Sequence, residues 1–196
     1  MPTKEQIEQN REHITTLCSQ ITRPGIADLM KWLDSSDYYT APASTRFHGA
    51  EPGGLAAHSI NVYLELNRTV AAWREFFPEQ LPEESLIITG LFHDLCKVNF
   101  YKTETRRRKN DATGVWETYE AYAVDEKFPF GGHGSKSVFI IQNYMKLTPE
   151  EAVAINCHMG AYDDPDGKYV SKAYEHYPLA WALHVADEAA SYLIGT

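Results

Sequence analysis

The stretch Gly90-Leu91-Phe92-His93-Asp94-Leu95-Cys96-Lys97-Val98 sets an imidazole, a carboxylate and an amine inside a run that otherwise reads as buried helix. On a helix advancing 100° per residue, Ile88, Leu91, Phe92 and Leu95 form one apolar stripe, and His93, Asp94 and Lys97 point the other way. Leu86 and Ile87 lie toward that second side as well, so the spacing predicts protein on both faces and an enclosed polar trio. An enclosed carboxylate is costly unless a cation or several hydrogen bonds compensate it, and a metal ion is an efficient compensator. Gly90, lacking a side chain, is expected to leave room beside the trio. Two further residues share this character. Asp187 sits in mid-helix among Ala180, Leu183 and Ala190, where no helix end explains an aspartate, and His58 opens a core-forming helix after Gly53-Gly54-Leu55-Ala56-Ala57. A His93–Asp94 pair alone better suits a hydrogen-bonded core pair; the other residues reverse that reading toward metal binding.

The order His58, His93-Asp94, Asp187 resembles the HD-domain superfamily of metal-dependent phosphohydrolases, and His93-Asp94-Leu95-Cys96-Lys97 is similar to its HDxxK helix. His133, in Gly131-Gly132-His133-Gly134-Ser135, and His158, in Asn156-Cys157-His158-Met159-Gly160, match the subset whose H, HD, H, H and D residues bind two metals. The likeness spans roughly residues 45–192, and Gly53-Gly54-Leu55 with His58-Ser59 is similar to HD domains of some 3'-to-5' exoribonucleases. Cys96 departs from the glycine usual in those relatives, and its small side chain is expected to be tolerated. The resemblance implies an all-α, HD-domain helical bundle forming a single domain. Residues 1–44 would supply N-terminal helices and a loop, and 45–192 the metal-binding core. It also implies a divalent transition-metal cofactor of two ions, with Asp94 bridging, His58, His93 and Asp187 on one ion, and His133 and His158 on the other. Four imidazoles and two carboxylates are compatible with Fe, Mn, Zn or Ni.

The chemistry such a centre implies is hydrolysis of a phosphoester or phosphodiester of a nucleotide or other small molecule by a metal-bound hydroxide. Charge developing on phosphorus calls for cationic donors. Lys97, one turn beyond Asp94, is the best placed, and Asp94 and Lys97 are the expected catalytic pair. Lys136, just after the histidine loop, is a second substrate-binding candidate. His48, in Arg46-Phe47-His48-Gly49, is a third, as a proton donor to a leaving group, although a surface-loop histidine is the plainer reading. His184, one turn before Asp187, is expected to orient it. The same ligand order also serves HD-fold di-iron oxygenases, and a non-catalytic metal-binding sensor module is a third class.

The elements that must position these residues are mostly helical. Helical spacing marks residues ~4 to 20 and ~25 to 34, then Leu55 to Phe77 up to Pro78, and Pro82 to Cys96. Ser35 to Gly54, rich in Ser, Pro, Gly and Ala, reads as a long loop. Alternation between residues ~98 and 128 around the turn residues Asn110 to Gly114 predicts a β-hairpin. Its aromatics Tyr101, Trp116, Tyr119 and Tyr122 are expected to lid the pocket or simply to pack. Helices are expected again from Ser135 to Lys146, after the capping box Thr148-Pro149-Glu150-Glu151, and from Pro178 to about Leu193.

At 196 residues with 43% hydrophobic content, the chain is long enough for one continuous core. A formal net charge of -9 argues against general affinity for nucleic acid, whose phosphates recruit Lys and Arg. The run Arg106-Arg107-Arg108-Lys109 is the local exception, read first as a solvated tip and second as a phosphate-recruiting lip. The expected partner is therefore a small phosphorylated substrate, nucleic acid being the less favoured one. No apolar run approaches the ~20 residues of a membrane span, and the N-terminus carries no apolar secretion signal. Cys18, Cys96 and Cys157 are too few and scattered for a disulfide framework, so reduced thiols and a cytoplasmic location are expected.

Overall fold

The computed structural model describes residues 2–77, 81–162 and 168–194. Among them the chain is mostly helical, with one two-stranded antiparallel hairpin. Thr3 opens α1 (Lys4–Cys18) with a capping box, its hydroxyl accepting from Gln6 N–H while the Gln6 side chain accepts from Thr3 N–H. α2 (Ile26–Ser35) follows. The stretch to residue 53 has no regular element, as its composition predicts. Gly53, at φ 81°, turns this loop into α3 (Gly54–Ala72), and a Cβ on Gly54 would lie 2.0 Å from the Gly49 carbonyl oxygen. Two glycines are thus what lets the loop close against the start of the helix that carries His58.

α3 ends at Ala72, several residues sooner than its apolar spacing predicts, because Trp73 leaves helical geometry and a 3-10 turn, Arg74–Phe76, follows. Pro78, the expected stop, lies outside the described residues. α4 (Glu83–Phe92) is buried along nearly its whole length. The expected continuous helix to Cys96 is not formed: the chain breaks after His93, and Leu95–Lys97 make a 3-10 turn. Gly90 also differs from expectation. A Cβ there would sit 2.7 Å from Tyr63 Cα, so the glycine lets α3 and α4 touch rather than opening room at the site.

The hairpin pairs β1 (Tyr101–Lys109) with β2 (Trp116–Val124) from Tyr101↔Val124 to Lys109↔Trp116. Asn110 Oδ1 accepts from the N–H groups of Ala112 and Thr113 in its turn, and Gly114 supplies a left-handed residue. Arg106–Lys109 lie on the exposed outer half of β1, where Arg106 pairs with Glu104 and Arg107 and Arg108 lie over Trp116 and Tyr119. Those contacts engage the three arginines within the hairpin. α5 (His133–Gln142), α6 (Pro149–Cys157), α7 (Lys168–His176) and α8 (Pro178–Ala189) complete the order, the last running into a π-type turn, Ala190–Ile194. The Thr148–Glu151 capping box forms as expected.

α3 packs against α4 and α8, α6 against α5 and α8, and α1 lies across α3. Leu55, Leu66, Ile87, Leu91, Ile141, Ile155, Leu179 and Leu183 are among the residues these contacts remove from water. No described helix is long and apolar enough to cross a membrane. All three cysteines are buried free thiols.

Candidate metal centre

α4 and α6 deliver their histidines in the same way. Each helix ends with the histidine as its cap: His93 Nδ1 meets Gly90 O at 2.9 Å, and His158 Nδ1 meets Ile155 O at 2.7 Å. A carbonyl oxygen can only accept, so in each ring Nδ1 is the protonated nitrogen and Nε2 is turned inward. Tyr38 OH donates to Leu91 O at 2.9 Å, at the same end of α4. Both helices therefore aim their negative ends, as well as their imidazoles, at one point. His58 reaches that point from the second turn of α3 and Asp187 from α8.

Beyond His93 the tightened 3-10 geometry governs. Because residues three apart eclipse in that helix, Lys97 returns over Asp94 and its Nζ stands 2.7 Å from Asp94 Oδ2. Asp94 is the hub. His93 Nε2 is 3.4 Å and His58 Nε2 3.7 Å from its Oδ2, and His158 Nε2 is 3.6 Å from its Oδ1. Asp187 Oδ1 lies 3.0 Å from His58 Nε2 and 3.9 Å from His93 Nε2. His58, His93, Asp94 and His158 are buried and Asp187 nearly so.

Among the described residues, none of the three Nε2 atoms makes a hydrogen bond; the 3.0 Å approach of His58 to Asp187 lacks the required alignment. Three buried ring nitrogens thus face two carboxylates at separations close to the roughly 3–3.5 Å between neighbouring ligands of one transition-metal ion. Burial alone would raise the Asp94 carboxyl, yet Lys97 and His93 outweigh it and hold the group well below the usual range. Burial is likewise overcome at Asp187 by the close approach of His58 and by the charge of His93 and His158. Burial pushes the His58 imidazole down, whereas Asp94 and Asp187 lift His158 against its own burial. Two carboxylates thus face three imidazoles and one ammonium in a dry pocket. Mixed imidazole and carboxylate donors fit a divalent transition metal.

Three overlapping groups have ligand atoms within 4.8 Å of one another: His58–His93–Asp94, His93–His158–Asp187 and Asp94–Cys96–His133. His158 falls with His93 and Asp187 in these groups, and its Nε2 also faces Asp94 Oδ1 at 3.6 Å. His133, at the start of α5, stands apart from it, with Nδ1 3.3 Å from Cys96 Sγ. Cys96, passed over in the sequence as a tolerated substitution, is thus the residue that sequence reasoning missed.

The other candidates are distributed around this cluster. Lys136 is buried, its Nζ 2.8 Å from both carboxylate oxygens of Glu126, on the His133 side. His48 stacks near His58, ring centroids 4.7 Å apart, and burial followed by His58 pushes its imidazole down to about 4. His184 does not orient Asp187. Its Nδ1 meets His158 O at 2.7 Å and its ring stacks on Tyr174, so it braces the His158 backbone instead.

A cleft of about 810 Å³ opens onto the centre, with Lys97 and Asp187 in its lining together with Phe47, His48, Tyr162 and Tyr192. Comparison with models of known protein families, with curated proteins and with solved structures finds no match for this chain.

Proposed function

We propose that this chain is a metal-dependent phosphohydrolase of the HD type, acting on a nucleotide or another small phosphoester. The observation that carries the reading is the convergence of three buried, unbonded Nε2 atoms on Asp94 and Asp187, with Lys97 beside them and a cleft above. His58, His93, His158, Asp94 and Asp187 would hold the metal. A divalent ion there supplies Lewis acidity toward a phosphoryl oxygen and lowers the pKa of water it binds.

The chain's own groups do the rest. Lys97, only 12% exposed at its side chain, is a charged donor fixed by Asp94 at the cleft floor, where dry surroundings strengthen its pull on phosphoryl oxygens. His48 is neutral near pH 7, which suits a hydrogen-bonding role beside Ser191 better than the expected proton delivery. Phe47, Tyr162 and Tyr192 offer exposed rings at the rim, and the roughly 810 Å³ space admits a nucleobase between them. Lys136, held by Glu126 on the far side, contributes less to substrate in this reading. The net charge of -9 favours a small substrate over a nucleic-acid strand.

The test is turnover by anaerobically purified protein, loaded in turn with Mn, Fe, Zn or Ni, on nucleotides, cyclic nucleotides, dinucleoside polyphosphates and generic phosphoesters. Phosphate-bond cleavage is expected, abolished together with metal uptake in His93→Ala and Asp94→Asn. Absence of cleavage by metal-replete protein with every metal overturns the assignment.

A further inference from the structure

His133 and Cys96 form a pair that the cluster of three histidines does not use. Cys96 Sγ lies 3.3 Å from His133 Nδ1 and 3.8 Å from Asp94 Oδ1, the same oxygen that His158 Nε2 faces from the other side. Bond lengths of about 2.3 Å to sulfur and 2.0–2.2 Å to nitrogen or oxygen put neighbouring ligands of a tetrahedral ion about 3.5 Å apart. The observed separations bracket that value. The pair is also built in place. Cys96 N–H donates to Ser137 Oγ at 3.0 Å, and Ser137 is fully buried one helical turn beyond His133 on α5, so the 94–97 turn is pinned to the element that carries the imidazole. A small cavity, about 80 Å³, lies against Cys96, Phe100 and His133, and the ammonium it also touches, Lys136, is neutralised by Glu126.

We propose that Asp94, Cys96 and His133 form a sulfur-containing cation subsite, so that one ion of this centre takes a thiolate ligand and is a thiophilic metal such as Zn(II), Co(II) or Fe(II). The inference rests on the metal-centre reading but not on the reaction assigned to it. Two carboxylate oxygens divide the work: Asp94 Oδ2 faces His58 and His93, and Oδ1 faces Cys96 and His158. A cation bound there would take the place of the thiol proton. The competing account is an ordinary S–H donor resting on His133.

Cobalt distinguishes them, because a thiolate ligand gives Co(II) a sulfur-to-metal charge-transfer band that nitrogen and oxygen ligands do not. The full chain, stripped with chelator and titrated anaerobically with Co(II), is expected to show that band and to take up roughly two ions. Cys96→Ser is expected to lose the band and about one ion, His133→Ala to lose about one ion, and Cys18→Ala to behave as wild type. Cys96→Ala, with helix content checked by circular dichroism, substitutes if the serine variant does not fold, and the wild-type spectrum decides by itself in any case. Cobalt uptake by wild type without the band, or a band that survives in Cys96→Ser, overturns the subsite and leaves the His58–His93–Asp187 centre standing. Failure to bind cobalt at all overturns both.

Discussion

Asp94 carries more than one relationship through its two oxygens, and Lys97 is the group that makes this tolerable. An ammonium at 2.7 Å from a buried carboxylate offsets its desolvation, and the same ammonium lines the cleft, where the proposed function gives it a second role toward substrate. Replacing it separates the two roles. Lys97→Met is expected to keep metal uptake and lower kcat by roughly 10²–10³-fold, the usual loss for one charged donor to a transition state. Parallel metal analysis and steady-state kinetics check this; an unchanged kcat would remove Lys97 from the chemistry. At this scale the sequence is readable where a polar residue occupies a position that only burial explains, as with His93, Asp94 and Asp187. His133 and His158 have no such local signature and become visible only through a resemblance. Cys96 is silent for a physical reason: a lone cysteine two residues from an aspartate has no ligand spacing until a distant helix brings His133 to it.

At the scale of elements, the centre depends on where helices end. The apolar spacing of Leu91 and Leu95 fits a continuing helix, so the break after His93 is hidden in the pattern, yet the 3-10 turn is what sets Lys97 over Asp94. The tight contact of Gly90 with Tyr63 is equally hidden, since a sequence shows a missing side chain but not the backbone that fills the space. α7 is different: Val170, Ala173 and Tyr174 fall at helical intervals, a spacing visible in the sequence itself. The starts of α4 and α6 are joined by Arg23, which binds Glu84 on one helix and the fully buried Glu151 on the other, where Glu151 also accepts from Ser85 and Thr148 N–H. Arg23→Met leaves Glu151 buried without its cation and is expected to cost about 3–5 kcal/mol in urea unfolding, with Arg23→Met/Glu151→Met costing less. The hydrogen bond from Arg23 holds Glu84 below its ordinary pKa. That contribution is complete above the unfolded value of about 4.3 and is lost as pH falls from there through the folded one. The stability gap between wild type and Arg23→Met should therefore narrow only in acid. A gap that is constant with pH would contradict the clamp.

Across the whole molecule, the buried aliphatic residues lie along α1, α3, α4, α6 and α8, while the polar cluster sits where α3 and α8 meet the C-terminal ends of α4 and α6. Hydrophobic patterning alone therefore predicts the helices well. The hairpin is the exception to this economy. Its two strands pair with each other and are largely bathed by solvent, and its anchorage is at the base, where Tyr101 OH donates to Ala43 O at 3.3 Å and Asp125 N–H to Phe100 O at 2.8 Å.

Such an arm behaves as an appendage with its own opening equilibrium, because few contacts couple it to the helices beneath. Amide protons between residues 102 and 123 should exchange with deuterium far sooner than those of α3 or α4. Lys102 faces Ala123 across the ladder, so the intervening chain can be excised and the two ends rejoined through Asn-Gly. The shortened protein should still capture its metal, since every proposed ligand lies outside the excised stretch; loss of capture would mean that the arm is structurally part of the centre.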